Sequence, residues 1–509
     1  MAWSQDLRDY LEGPRSQEVW LVEVYSSNAE PGADGYTMSS ARGYGDEVLI
    51  AAPPRISGPR VTPITWSSTI GTCSVSLSGN LSTAMQHITR GTVCRVLLGR
   101  PGMAQVDFDT IFWGQVWSVS GAGVSFTLEL RDPLQAIDGR MNSIYPALFY
   151  SLATTTVNGA HGSGATTINV ASTAGILWDQ NGEGIGLIKI GSEYITFTGT
   201  TGTSFTGCTR GALGTTAAAL TDLEAVAGAI FLKGHPLDIV RRVLLSHPES
   251  GNSIWDDYDQ SWGIGLRQTL VDIDDIEAWK IDIVKVASGS YTWGVVSEAA
   301  VESPASWLQD LLSRAGLFLT TRQGLLTCRG AVSPLVTLGW VPVQDFVITD
   351  ADVIDGWHGI TTEAFASEYA AEYLLVTVTT EGSSSSTAAS GDGYQAATLP
   401  AVARITYDVS DLVRSNESEV QTEMLNRLAL MAQRVPEAIQ FTAAGMRLAR
   451  LAPGDVVYFQ SSRAGIRWTY TDGTSGRRCW VAQVSPDWAK NTVGLRLLCY
   501  PATSNEFES

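Results

Sequence analysis

The segment Ile190–Ala219, IGSEYITFTGTTGTSFTGCTRGALGTTAAA, leaves few folds open to this chain. Tyr194, Thr196 and Thr198 alternate with Ile195 and Phe197, the period of two expected of a pleated strand with two different faces. Gly199 and Gly202 supply turn geometry, and Gly211 and Gly214 bracket a second turn after Arg210. The pattern predicts two short strands, a Gly/Thr turn, a further strand and a tight Arg-Gly corner. Its only reactive side chains are Glu193, Cys208 and Arg210, spaced along strands and not gathered at one point. A small structural β module is expected here, without chemistry of its own.

Bulk composition extends that reading to the whole chain. At 509 residues, three or four domains are expected. Apolar residues make up 44%, enough for real cores, while charged residues reach only 17% and glycine numbers 50. Low charge with much Gly and Thr suits extended β surface packed against neighbours, as in an obligate assembly subunit. The net charge of −19, from 33 basic and 52 acidic residues, has the wrong sign to release counterions from phosphate. Direct nucleic-acid binding is therefore not expected, and the charge is read as serving solubility.

Cys73, Cys94, Cys208, Cys328, Cys479 and Cys499 are scattered, with no C-x-x-C and no zinc-type Cys/His spacing. Reduced, buried thiols are the default expectation. Cys479 and Cys499 lie on neighbouring candidate strands, where pairing or a shared metal stays open. The N-terminal MAWSQDLRDYLEG is neither basic nor followed by an apolar core, so no signal peptide is expected. No run approaches the roughly 18 to 20 apolar residues of a membrane span, and synthesis and assembly in a cytoplasm are expected.

Four regions follow from pattern: residues 1–149, 150–234, 235–335 and 336–509. In the first, EVWLVEVY reads as a strand in which Val22 and Val24 flank polar Glu23. Ile111–Val119 and Val124–Leu130 read as a hairpin closed by Ser120-Gly121-Ala122-Gly123. Gly114 inside that hairpin suggests a bulge or a curved sheet. The second region is β, with Thr/Ala/Gly-rich joints. Its GEGIGL (182–187) has the look of a dinucleotide loop but runs into a strand instead of a helix, so phosphate binding is rejected. In the third, PLDIVRRVLLSH places Leu237, Val240 and Leu244 on one helical face behind Pro236. SPASWLQDLLSRAG forms a second helix, with Ser303 as N-cap, a Trp307/Leu308/Leu311/Leu312 stripe and a closing Gly316. The strand pair LFLTTRQGLLTCRG follows. In the fourth, Ser-rich residues 382–394 read as a flexible loop or hairpin tip, Glu417–Arg434 as an amphipathic helix, and Ile439–Tyr500 as β. Pro453 and Gly454 pre-set a turn before VVYF.

No constellation carries catalysis. Asp256, Asp257 and Asp259 form one acidic cluster, and Asp272, Asp274, Asp275 and Glu277 another. VDIDDIEAW has no glycine for the bend of a calcium loop and reads as a strand or helix start exposing its polar face; a solvated acidic face is the preferred reading, with a divalent-ion site as the rival. His87, His161, His235, His247 and His358 lie far apart, most beside Gly or Pro turns, and suit surface or capping roles. There is no H-E-x-x-H and no G-x-S-x-G. A carboxylate pair for glycosidic cleavage cannot be read from spacing. The 16 tryptophans, with Trp255, Trp262, Trp279 and Trp293 in one region and Trp468, Trp480 and Trp488 in another, are read as core and contact residues, with sugar stacking as the rival. No catalytic, cofactor or metal residue is assigned, and the chain is read as a non-enzyme.

Three segments carry a family resemblance. EYITFTGTTGTSFTGCTRGALGTTAAA resembles a recurring module of tailed-bacteriophage tail proteins, in which E-x-I-x-Y/F-T-G leads through T-R-G-x-x-G-T to an Ala run; where relatives often carry His, this chain has Leu220. Residues 235–330, and the RLARLAPGDVVYF step, resemble phage baseplate or tail-tip hub proteins in the order of their elements. TIFWGQVWSVSGAGVSFTLEL is similar to hairpins of distal-tail and hub domains. The resemblance implies a mainly β fold: two tail-hub β-barrels, from the N- and C-terminal parts, separated by an inserted β module and an α+β segment. It implies a virion protein at the tail tip or baseplate of a long-tailed, non-contractile particle. Such a hub is a homotrimer that closes the tail tube and adapts sixfold to threefold symmetry. Its implied neighbours are the distal tail or tube ring, the tape measure protein and central fibre or receptor-binding proteins. The rival is a distal tail or tail-fibre protein that binds host carbohydrate. Some tail-tip families hold an iron–sulfur cluster on four C-terminal cysteines; this chain lacks them, so no cofactor is carried over.

Overall fold

A computed structural model describes residues 4–12, 18–25, 35–41, 48–62, 67–79, 88–137, 153–176, 184–245, 263–264, 266, 270–286, 293–297, 303–314, 317–330, 347–355, 375–380, 383–389, 404–408, 412–413, 437–461 and 477–499. The fold is mainly β, as expected, with helices gathered in the middle of the chain. Its N-terminal part is a closed barrel. Strand Val19–Tyr25 pairs with Gly35–Ser39 on one side and Val93–Gly99 on the other. Pairing continues to Asp109–Ala122 and Ser125–Arg131 on one flank, and to Leu49–Ile50 and Thr72–Ser78 on the other. Ser125–Arg131 then pairs with Thr72–Ser78 from Ser125↔Ser78 to Arg131↔Thr72, which closes a ring of seven strands. Closure removes the exposed edges at which sheets otherwise associate.

Alternation fills the barrel. Cys73, Val75 and Leu77 are buried, whereas Thr72, Ser74 and Ser76 are not. Gly114 lies where the sheet must bend: a Cβ there would stand 2.3 Å from the Arg131 carbonyl oxygen. The register of this strand pair shifts between Glu129 and Leu130, which leaves Trp117, three residues beyond Gly114, as the extra residue. The expected strand forms, and all seven residues of Val19–Tyr25 are buried, polar Glu23 included. Glu23 is held inside by the Arg95 guanidinium, the Tyr25 hydroxyl and the Gln105 amide. Gln5–Glu12, which has no helical signal in the sequence reading, is a helix that buries Leu7 and Tyr10.

The C-terminal strands Glu437–Ala444, Thr492–Cys499, Arg477–Asp487 and Val456–Gln460 form a sheet continuous with the barrel. The bridge is Arg55–Ser57, which pairs with Thr72–Ser78 and, at Arg55↔Asp487, with the C-terminal sheet. One core runs from Val22 and Leu128 to Phe441 and Leu497. Trp20 of the barrel meets Trp488 edge to face at 5.0 Å. Among the described residues no strand pairing closes this second sheet.

Ala225–Gly234 joins the middle of the chain. Its first half pairs with Gly186–Ile190 and Thr154–Thr156, and its second half with Trp293–Ser297. Val226 lies in the core of the Thr/Gly module, while Ile230 and Leu232 lie in the helical core. The module is thus welded on by a shared strand. Beyond it stand helices Pro236–Leu245, Ile273–Val286 and Pro304–Arg314, and the hairpin Leu317–Arg322/Leu325–Gly330. Leu308, Leu311 and Leu312 are buried as their spacing predicts. Ser383–Ala389, within the stretch read as a flexible loop or hairpin tip, is a strand that forms one arm of a hairpin with Leu375–Thr380. Its Ser/Thr/Ala run leaves the backbone free to join a ladder, which composition alone does not reveal. The expected helix Glu417–Arg434 lies outside the described residues.

Candidate functional site

The side chains that bear most on function lie at seams between parts. The hairpin 317–330 presses its tip into the barrel. Gln323 and Gly324 both have positive φ, 52° and 80°, the geometry of a tight two-residue hairpin turn. A Cβ on Gly324 would stand 2.1 Å from the Trp113 backbone nitrogen. Gly324→Ala is therefore expected to cost about 2–3 kcal/mol, measured as a lowered denaturation midpoint. A cleft of about 60 Å³ beside the tip, bordered by Ile56, Phe112, Leu451, Pro453 and Trp488, is far below the size of a substrate site.

Behind the tip, Arg329 is buried with 3% of its side chain exposed. It donates to both oxygens of Asp275 at 2.8 and 3.0 Å, to Asp455 at 2.8 Å and to the Pro453 carbonyl at 3.1 Å. Asp275 also accepts from Arg322 and from the Thr327 hydroxyl, each at 2.8 Å. Burial alone would raise Asp275, but the two guanidiniums and the hydroxyl outweigh it and hold its carboxyl at about 2. The Pro-Gly-Asp turn closes on itself, with the Ala452 N–H donating to Asp455 at 2.8 Å. This network corrects the reading of 272–277 as a solvated face. Asp272 is buried at the start of helix Ile273–Val286, Asp275 is clamped, and Glu277 pairs with Arg241; only Asp274 is exposed. The i, i+3 spacing of Asp272 and Asp275 marks a helix start, but the arginine partners of Asp275, Arg322 and Arg329, lie over 40 residues away in sequence.

A second buried carboxylate, Asp132, joins barrel and hairpin. It accepts from the Gly71 N–H at 2.8 Å, the Leu134 N–H at 3.2 Å and the Thr321 hydroxyl at 3.2 Å. Among the described residues no cation pairs with it, and burial pushes it up to about 7 against these three donors. The folded chain therefore holds this proton where the unfolded chain has released it. Stability from Asp132 is full below about pH 4 and is lost as pH rises towards 7. Asp132→Asn removes this proton: the stability difference between wild type and variant should shrink across that window in denaturation series. A constant difference would count against it.

In the Thr/Gly module, Glu193 and Arg210 form a buried pair, 2% and 5% exposed. Glu193 also accepts from the Gly211 and Ala218 N–H groups, and Arg210 donates to the Gly162 and Ala218 carbonyls. The motif's two charged residues are thus its internal staple. Gly186, the last glycine of GEGIGL, starts a strand, and a Cβ there would strike the Phe197 ring at 2.2 Å. That glycine serves packing, in line with the rejection of a phosphate loop.

The remaining candidates fall into place as structure. His235 caps helix Pro236–Leu245, its Nδ1 accepting from the Leu237 N–H, and His161 accepts from the Asn169 N–H. His87, His247, His358, Asp256, Asp257, Asp259, Trp255, Trp262 and Trp468 lie outside the described residues. Trp279, Trp480 and Trp488 are buried, which places them in cores and away from any sugar. Cys73, Cys94, Cys208 and Cys328 are free and buried, with thiols pushed up by burial. Cys479 departs from the default: it is disulfide-bonded, and the residue opposite it in register is Cys499. Among the described residues no His/Cys/Asp/Glu group could hold a metal, and no helix is long and apolar enough to cross a membrane.

No protein-family model and no curated protein matches the chain. Among solved structures, it is similar to a tail protein from Neisseria meningitidis, with 11% identity, a TM-score of 0.40, and coverage of 95% of this chain and 97% of that one. It is similar to the 43 kDa tail protein of prophage MuSo2 from Shewanella oneidensis, with 9% identity, a TM-score of 0.37, and coverage of 95% and 98%. It is also similar to a Francisella PdpA–VgrG complex, with 9% identity, a TM-score of 0.38, and coverage of 97% and 55%. None of the three reaches a TM-score of 0.5.

Proposed function

We propose that this chain is a structural virion protein of a tailed phage or prophage particle. In this reading it forms the tail-tip or baseplate hub that closes the tube and adapts sixfold to threefold symmetry. Residues 1–149 and 336–509 are its two hub parts, 150–234 an inserted module and 235–335 the α+β segment between them. The observation that carries the reading is the fusion of a closed barrel and a C-terminal sheet on one core, buttressed by an ion-paired hairpin. Such a body transmits force and keeps its shape, as a ring subunit must. The RLARLAPGDVVYF step and the 235–330 order, which carried the resemblance, supply the two halves of the Arg329 clamp. The described charged clusters are spent on internal contacts, which supports a mechanical role over an enzymatic one. Its neighbours in this reading are the distal tail or tube ring, the tape measure protein and central fibre or receptor-binding proteins. The test is the mass of the free protein in solution. A trimer is expected; a hexamer would favour the distal tail ring instead.

A further inference from the structure

The C-terminal sheet holds a cysteine pair set apart from the other thiols of the chain. Cys73, Cys94, Cys208 and Cys328 are free and buried, and burial pushes their thiols up, away from the reactive thiolate. Cys479 is disulfide-bonded, which leaves Cys499 as its partner among the six cysteines. Opposed residues of antiparallel strands stand about 4.5–5.5 Å apart at Cα, inside the span a disulfide bridges. Cys499 ends strand Thr492–Cys499 and stands at the end of both its ladders, opposite Cys479 on one side and Glu437 on the other. Cys479 is held from its far side as well, opposite Val457. A free strand end frays; this bond ties that end to a strand paired on both sides.

The next rung links the bond to the hairpin seam. Trp480 stands opposite Leu498, and both pack with Phe318 of the hairpin 317–330 in one small core. The Trp480 and Phe318 rings meet edge to face at 5.5 Å. One residue on, the Val481 N–H donates to the Asp455 carbonyl at 2.8 Å, and the Gly454 N–H to the Val481 carbonyl at 2.9 Å. The bond therefore stands beside the turn that holds Arg329. We propose that Cys479 and Cys499 form a redox latch, a dithiol while the chain is made and assembled in a reducing compartment and a disulfide once the particle is outside. Disulfides persist in oxidising surroundings and are rare in reducing ones. Closing the latch joins the two sulfurs, and their two protons and two electrons pass to a small disulfide such as oxidised glutathione, which leaves as two thiols. Open, the latch lets the end of the last strand and the hairpin seam yield during docking; closed, it fixes both. The inference rests on the virion reading above, which supplies the change of compartment.

The test uses the full chain, either reduced with a phosphine or oxidised with glutathione disulfide. Alkylation after denaturation should label all six cysteines of the reduced protein, but only Cys73, Cys94, Cys208 and Cys328 of the oxidised one. Hydrogen exchange in 494–499, 437–440 and 317–322 should run tenfold or more faster in the reduced protein, with the barrel strands unchanged. Cys499→Ser should match reduced wild type whatever the oxidant, and reduced wild type reports the open state without any substitution. Alkylation of producing cells before lysis should trap both thiols, whereas released particles should carry the bond. A bond already closed inside the cell, equal exchange in the two redox states, or loss of barrel protection on reduction each overturns the latch. The trimer mass tests the hub reading on its own, so either can fail without the other.

Discussion

Arg329→Ala is expected to destabilise the protein by about 3–5 kcal/mol, the usual cost of stripping one partner from a buried ion pair. The substitution leaves Asp275 and Asp455 facing each other's space without the guanidinium that held both at 2.8 Å. It also frees the Pro453 carbonyl. Arg322 still reaches Asp275, but it is one-third exposed and approaches one oxygen only. The loss should therefore appear as separation of parts: the hairpin 317–330 from the turn 452–455, and helix 273–286 from both. Hydrogen exchange should rise first in these segments, with the barrel strands protected longer. Replacing the charged set together, Arg329→Met with Asp275→Leu and Asp455→Leu, should recover much of the loss, because the desolvation cost disappears with the charges. Acid gives the same result by another route. Asp275 sits at about 2, below its ordinary value, so its contribution is present above about pH 4 and is lost as pH falls towards 2. Wild type should lose stability in that window and Arg329→Ala should lose less. Equal loss would sink the clamp as the cause.

What the sequence makes legible depends on how local the cause is. The hairpin 111–130, the strand alternation of 190–198 and the leucine stripe of 304–314 rest on neighbours within a few residues and all form, although the hairpin turns at Gly123-Val124 and not over the expected 120–123, which continue the strand to Ala122. The burial of Glu23 and Asp275 is not legible in the sequence, for one reason. A carboxylate in a local pattern reads as solvent-facing, and only a distant arginine, Arg95 or Arg329, makes burial affordable. Barrel closure is equally nonlocal, since it depends on Ser125–Arg131 finding Thr72–Ser78. The disulfide of Cys479 stayed open in the sequence because spacing along the chain does not fix strand register. Once Arg477–Asp487 and Thr492–Cys499 pair, Cys479 stands opposite Cys499.

Glu193→Ala should cost the Thr/Gly module about 3–5 kcal/mol, and the loss should be local. Glu193 accepts four hydrogen bonds: two from Arg210 at 2.8 and 2.7 Å, one from Gly211 at 2.8 Å and one from Ala218 at 3.1 Å. Burial alone would raise its pKa, but these four donors and the charge of Arg210 hold it below the ordinary glutamate value. Truncation leaves the buried Arg210 cation with only the Gly162 and Ala218 carbonyls as acceptors, and strips the Gly211 and Ala218 N–H groups of theirs. The strand 209–212 and the corner to Ala218 are fixed to the sheet by this side chain, by the pairs Tyr194↔Ala212 and Thr196↔Thr209, and by the Tyr194 N–H donating to the Thr215 hydroxyl at 3.0 Å; the register is broken between Tyr194 and Thr196. Proteolysis should therefore open the corner after Arg210 while leaving the barrel intact. Protection should fall along Ala225–Gly234 only as far as the half that pairs with Gly186–Ile190, because the other half is held by Trp293–Ser297. The double change Glu193→Leu with Arg210→Met separates two causes. If the ion pair is a staple of the fold and nothing more, the apolar pair should restore most of the stability and leave assembly unchanged. If stability returns and assembly does not, the corner itself touches a neighbour, and the motif serves contact as well as folding.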